Sequence, residues 1–213
     1  MFKHIQVLIW DFDGTFYPPN PELWQAVREG EYRTIEHHTG WPREKISKEF
    51  AKLHKKVIPS ATKVVAQLTK ISVAQAAVEV ENYFDRRKFL KRDEKLISLF
   101  GKLKKFRHFI LANGSILRIR ETLEFLGISP KIFSAIVTSE TVGVTKPHTA
   151  GFRYILNHTK LPPAAHLMIG DREAVDLVPA KKLGIMTCLV WSTAGGHFCD
   201  VLLPTVYDIK NIV

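Results

Sequence analysis

Cysteine is scarce in this chain. Cys188 and Cys199 are the only two in 213 residues. Two thiols cannot build a disulfide framework, so a reduced, cytoplasmic protein is the simplest expectation. No apolar run reaches the ~18 residues of a membrane span. The first strand-like run, Ile5 to Trp10, is too short for a signal peptide, and Asp11 and Asp13 follow it at once. There is no internal repeat. Hydrophobic residues at 46% and charged residues at 24% match an ordinary globular chain, which excludes disorder and fibrous repeats. The length allows one large domain, or one domain carrying an insertion. Negative charge is in short supply: 31 Lys and Arg stand against 21 Asp and Glu, for a net +10. That surplus favours anionic partners, either phosphorylated small molecules or nucleic acid.

The surplus is local. Arg86 to Arg107 holds ten basic residues against Asp93 and Glu94, and so carries eight of the ten net charges. A solvated helix face and loop is the plain reading of such a run, and a steering field for an anionic substrate is the functional one. Nucleic acid is disfavoured, because neither zinc-finger spacing nor an aromatic RNA-binding pattern accompanies the charge.

What is present is an alternation. Ile5 to Trp10 is a near-continuous apolar strand, of the kind buried on both faces of a parallel sheet. Similar runs recur at Phe109-Ile110-Leu111, Ala135-Ile136-Val137, Leu167-Met168-Ile169 and Ile185 to Val190. Helical patterns separate them: Ile116 to Leu126 closed by Gly127, a helix marked by Phe152, Ile155 and Leu156, and Leu177 to Leu183 with Asp176 as its expected N-cap. This alternation predicts a doubly wound, mainly parallel α/β sheet of Rossmann-like type. Residues 18–89 break it. Asn20-Pro21 starts a helix carrying Leu23, Trp24, Val27 and Ile35. Ile46, Phe50, Leu53 and Val57 form a second stripe, Val64, Val65 and Leu68 a third, and Ser72 caps a fourth over Val73 to Phe84. A small all-helical unit is therefore expected as an insertion after the first strand, with 1–17 and 90–213 forming the core. Beyond Trp191, residues 199–213 are read as an edge strand and a last helix, or as loose packing over the sheet.

The chemistry gathers where strands end. Asp11-Phe12-Asp13-Gly14-Thr15 follows the first strand, and two carboxylates so placed are expensive unless something cationic joins them. Ligands of open α/β sheets bind at that edge. Gly170-Asp171 ends a later strand, Asp176 lies five residues on, and Asp171 is expected to face Asp11 across neighbouring strand ends. Three or four oxygen ligands with open positions suit Mg²⁺. Lys146-Pro147 adds a cation after the third core strand. Asn113-Gly114-Ser115 opens a helix whose backbone N–H groups can hold a phosphate.

In this order the four motifs closely resemble the haloacid dehalogenase (HAD) superfamily, over about residues 1–17 and 90–190, with the helical insertion similar to that family's cap. For phosphatases of the superfamily the resemblance implies Asp11 as nucleophile and Asp13 as general acid and then base. It implies that Asp11, the Asp13 carbonyl and Asp171 hold Mg²⁺, with Asp176 in support. Lys146 would neutralise the nucleophile and the phosphoryl group, and Ala112, Asn113 and Gly114 would form the phosphate-binding turn. An acid at position 13 favours phosphate esters over carbon–halogen bonds. One residue departs from the pattern: Ala112 stands where the family usually has Ser or Thr, and a missing donor of that kind costs about 10²–10³ in kcat. The backbone N–H groups of Asn113 and Gly114, or the side chain of Asn113 or Ser115, are candidates to compensate.

The expected activity is hydrolysis of a small phosphorylated metabolite, a nucleotide, sugar phosphate or similar, by a monomer or homodimer without a membrane. A phosphomutase using the same residues, or a weakly active binding protein of this fold, are the alternatives. Trp24 and Trp41 read as packing of the inserted helices, with one of them able to reach a substrate ring. His37-His38 reads as a favourable charge at a helix C-terminus. Basic residues of 86–92 can face the cleft, whereas Lys102, Lys104 and Lys105 belong at the opposite end of the sheet.

Overall fold

The computed structural model describes residues 4–56, 60–194 and 196–213. Val57, assigned to the second helical stripe, lies outside them.

Among the described residues, six strands form one all-parallel sheet: β1 (Val7–Trp10), β2 (Arg107–Leu111), β3 (Phe133–Val137), β4 (His166–Gly170), β5 (Met186–Val190) and β6 (Val201–Leu203). Their spatial order is β3-β2-β1-β4-β5-β6, so β1 lies between the two later strands β2 and β4. Trp10 is in register with Ile110 on one side and Ile169 on the other. Residues just past these three strands are therefore brought together at one edge. This is where the order reverses direction, the place at which open α/β sheets bind ligands.

Alternation along the strands fills two layers. Leu8, Trp10, Ile110 and Ile169 pack on one face against α5 (Glu94–Lys102) and α6 (Ile116–Leu126). Val7, Ile9, Phe109 and Met168 pack on the other against α8 (Ala150–Thr159) and α9 (Val178–Lys181), and a short α7 (Ser139–Val142) follows β3. Trp10 is fully buried, and its Nε1–H donates to His108 Nδ1 at 3.1 Å. The His108 Nε2–H then donates to the Leu103 carbonyl at 3.0 Å, which assigns a neutral imidazole; burial holds its pKa below the usual range.

Between β1 and β2 run α1 (Pro21–Thr39), α2 (Arg43–His54), α3 (Ala61–Thr69) and α4 (Val73–Val80). They carry their own core of Ile35, Ile46, Phe50, Val64, Val65 and Val80. Asn20 caps α1 through its Oδ1, which accepts from Glu22 N and Leu23 N. Ser72 caps α4, which ends at Val80 rather than Phe84. The tail supplies β6 and a 3₁₀ turn, Val206–Asn211, whose Val206 and Ile209 are buried. Among the described residues no helix is long and apolar enough to cross a membrane.

Two local expectations change. Asp176 does not cap a helix; it lies inside a wide turn, Glu173–Leu177, and its carboxylate is turned toward the strand ends. His38 does more than neutralise a helix end. Its Nε2 lies 2.5 Å from Glu79 Oε2 and ties α1 to α4.

Candidate active site

Asp11 directly follows β1, where its N–H donates to the Ile169 carbonyl of β4 at 2.9 Å. This pins its position against the strand that leads to Asp171. Carboxylate oxygens of Asp11, Asp171 and Asp176 all lie within 4.8 Å of one another. Gly14 makes room for the approach. Its φ of +82° suits glycine, and a Cβ there would stand 2.5 Å from Asp171 Oδ2.

Lys146 is buried among these acids. Its Nζ donates to Asp11 Oδ1 at 2.6 Å and to Asp176 Oδ1 at 2.5 Å. Burial alone would depress this ammonium, but the charges of Asp11 and Asp176 outweigh it and raise the pKa above the usual range. The Asn113 side chain holds the lysine in place: Oδ1 accepts from Lys146 N at 2.8 Å, and Nδ2 donates to the Lys146 carbonyl at 3.2 Å. That amide is therefore committed to positioning Lys146 and does not replace the hydroxyl missing at Ala112. Ala112 is buried in the sheet layer, whereas Asn113 and Gly114 line the cavity beside it.

Lys146 does not satisfy three acids, and Arg172 Nε stands 3.8 Å from Asp171 Oδ1, an ion-pair neighbour too far away for a hydrogen bond. Asp11 Oδ2 and Asp171 Oδ1 are buried, with no hydrogen-bond partner among the described residues. Burial, then the charges of Asp11 and Asp176, push the Asp171 carboxyl up to about 8. Two orphaned carboxylate oxygens beside a lysine already in use fit a hard divalent cation. Asp176 is differently placed. Its Oδ1 serves Lys146 and its Oδ2 accepts from Arg172 N at 3.2 Å, so both its oxygens are engaged.

Asp13 lies outside this triad. Its carboxylate accepts from Arg86 Nε at 2.7 Å and Nη2 at 2.8 Å, and from the Tyr17 hydroxyl. Burial pushes the Asp13 carboxyl up, but the Arg86 charge and these hydrogen bonds prevail and hold it below the ordinary carboxylate range. Arg86 is 4% exposed and also donates to both oxygens of Glu81, at 2.7 and 2.8 Å. Glu81 in turn accepts from Ser115 N at 3.1 Å, and Ile116 N donates to Glu140 Oε1 at 2.7 Å. Two backbone donors at the start of α6, just past the expected phosphate turn, are thus occupied by carboxylates of the chain itself. Gly114 has no side chain to obstruct this: a Cβ there would strike Glu81 Oε1.

Arg86 and Glu81 are functional candidates that sequence reasoning missed as individuals. The basic run pointed at 86–92 as a group, but only the fold shows that Arg86 is internal while Arg87 and Arg92 form ordinary exposed pairs with Asp85 and Glu94. A third missed residue is Glu31 of α1. It does leave a sequence signal, since it interrupts the stripe Leu23, Val27 and Ile35, whose positions repeat every four residues.

Asp11, Asp13, Glu81 and Arg86 open into a cavity of about 400 Å³. Asp11, Asp13, Asn113, Gly114 and Arg172 line one side, and Trp24, Arg28, Glu31, His54 and Thr62 of the inserted helices line the other. Trp24 therefore faces the site rather than serving only as helix packing. A wider cleft of about 740 Å³ lies between residues 16–22 and 89–95, and holds none of Asp11, Asp13, Lys146, Asp171 or Asp176.

The family model of haloacid dehalogenase-like hydrolases matches residues 5–184, a span that contains the strand-end acid pair, the buried lysine and the second acidic turn. The chain belongs to this family. Among curated relatives, the glyceraldehyde 3-phosphate phosphatase of Methanocaldococcus jannaschii is 37% identical over 109 residues, covering 49% of this chain and 47% of that protein. The pyrophosphatase PpaX of Oceanobacillus iheyensis is 32% identical over 94 residues, covering 43% of each. The matches thus span somewhat under half the length of these relatives. Among solved structures, a HAD phosphatase from Thermococcus onnurineus superposes with a TM-score of 0.69 at 18% identity, covering 98% of this HAD-like chain and 97% of that one. That likeness extends the shared fold through the inserted helices.

Proposed function

We propose that this HAD-like hydrolase is a Mg²⁺-dependent phosphatase that cleaves a small phosphomonoester through an aspartyl-phosphate on Asp11, with residues 18–89 acting as its cap. The observation that carries this reading is the pair of orphaned oxygens, Asp11 Oδ2 and Asp171 Oδ1, beside the committed Lys146. Relatives named for glyceraldehyde 3-phosphate and pyrophosphate hydrolysis support a small phosphorylated substrate, and a cavity of about 400 Å³ suits one. When bound, Mg²⁺ would be held by Asp11, Asp171 and the Asp13 carbonyl, with Asp176 behind them, and it would neutralise phosphoryl oxygens.

The chain's own groups divide the rest. In the first half, Asp11 attacks phosphorus, the ester P–O bond breaks, and Asp13 gives a proton to the departing alkoxide. In the second, Asp13 takes a proton from water as that water attacks phosphorus and frees Asp11. Lys146 pairs with Asp11 and offsets charge on the transferring group. Asp13 rests ionised against Arg86, the state the second half requires. To act as acid it must take up a proton and part from that guanidinium. Ala112, together with the occupation of Ser115 N, makes this a slowed catalyst. Hydrolysis of p-nitrophenyl phosphate with Mg²⁺ tests the reading: Asp11→Asn and a chelator should each abolish turnover, and activity surviving either one ends it.

A further inference from the structure

Glu31 occupies a stripe position on α1 where its neighbours Leu23 and Ile35 are buried hydrophobes, and it is itself only 4% exposed. Its Oε2 is buried, and among the described residues no donor is aligned on it. Arg28 Nε lies 2.9 Å away as an ion-pair partner, out of line for a hydrogen bond. A buried carboxylate left in this state is costly unless a further donor reaches it. Burial outweighs the Arg28 charge and pushes its pKa up to about 7, as expected of an under-solvated acid. The residue is not sealed inside the helices, because it lines the same cavity as Asp11 and Asp13. With the phosphoryl group at Asp11, the alcohol half of an ester extends across this cavity toward α1.

We propose that Glu31 is a specificity residue that accepts a hydrogen bond from a hydroxyl of the leaving group, so that the substrate is the phosphomonoester of a polyhydroxylated alcohol. The inference rests on the phosphatase reading above. Charge narrows the class. A carboxylate on the leaving group meets Glu31, and an ammonium meets Arg28, whereas a neutral hydroxyl fills the orphaned oxygen without opposing either. Arg28 can donate to a second hydroxyl. Trp24, Ala77, Val80 and Phe84 supply carbon walls on the same side, suited to the C–H faces of a polyol.

The test compares glycerol 3-phosphate with propyl phosphate, its analogue without hydroxyls, and adds phosphoethanolamine and phosphoglycolate. kcat/KM is measured with Mg²⁺ for the native chain, Glu31→Gln and Glu31→Met. A hydrogen bond to a charged acceptor corresponds to roughly 10- to 100-fold. The native chain should therefore prefer glycerol 3-phosphate to propyl phosphate by about that factor, chiefly through KM. Glu31→Met should bring the preference to within about threefold of unity. Glu31→Gln, which keeps the size and a neutral acceptor, should lower it at least about threefold. Comparing the ratio between variants cancels the intrinsic reactivity of the two esters. An unchanged ratio in either folded variant, or a native preference for phosphoethanolamine or phosphoglycolate, overturns the role of Glu31 alone. No hydrolysis of any of the four, nor of p-nitrophenyl phosphate, overturns the phosphatase reading and this one with it.

Discussion

Removing the charge of Glu31 has a consequence for stability that can be worked out from its surroundings. The carboxyl moves from 4.5 to about 7 on folding, because burial penalises its ionised form. Its folded pKa is raised, so the stability it contributes is full below about pH 4.5 and is lost as the pH climbs through about 7. At about 1.36 kcal/mol for each tenfold change, the loss reaches about 3 kcal/mol at pH 8 and is only about 1 kcal/mol at pH 5. The side chain is 6% exposed, so water screens little of this. Glu31→Gln stays neutral throughout. At roughly 2–4 °C per kcal/mol for a chain of this size, the variant should melt about 6–12 °C above the native chain at pH 8, and about 2–4 °C above it at pH 5. Whatever the amide changes in packing is common to both pH values and cancels in the difference. Thermal melts at the two pH values, followed by circular dichroism, measure it. A Tm difference that does not vary with pH would show that Glu31 is not a desolvated acid, and the reasoning from its burial would fail.

Other substitutions probe the charged groups of the site. Lys146→Met leaves Asp11 and Asp176 buried without their shared cation; turnover of p-nitrophenyl phosphate should fall at least about 10³-fold, and urea denaturation should show a loss of about 3–5 kcal/mol. Arg86→Met strands Asp13 and Glu81 together and should cost a similar 3–5 kcal/mol by the same measurement; a loss below about 1 kcal/mol would mean that the network is not closed as described. Ala112→Thr supplies the absent hydroxyl and should raise kcat about tenfold or more; unchanged kcat and KM would show that no donor is lacking.

The sheet was readable from the sequence because each strand is an apolar run with its own turn, and its chemistry was readable because parallel strands bring their carboxyl ends to one edge. Once β1 is flanked by β2 and β4, Asp11 and Asp171 must be neighbours. Lys146 follows from the same logic, since the chain past β3 returns to that edge. Arg86 did not follow, because its partners are Asp13, 73 residues earlier, and Glu81 at the end of α4. Only the path of four helices back to the sheet decides that they meet. Asp176 was misread as a cap because an acid ahead of a helical stripe is the usual cap signal. Here the wide turn at Glu173–Leu177 redirects the side chain to Lys146. The Ser115 N–H likewise gave no hint that a carboxylate of the chain itself would occupy it.

The single guanidinium of Arg86 joins the strand-end loop to the tip of α4, and this bears on how the molecule comes apart. Were the four inserted helices to melt first, Asp13 would lose its counter-charge and Ser115 its acceptor, while the sheet still stood. That half-open species is penalised from both sides. Heating should therefore dissolve helices and sheet in one calorimetric peak, with equal van't Hoff and calorimetric enthalpies, rather than in two successive events.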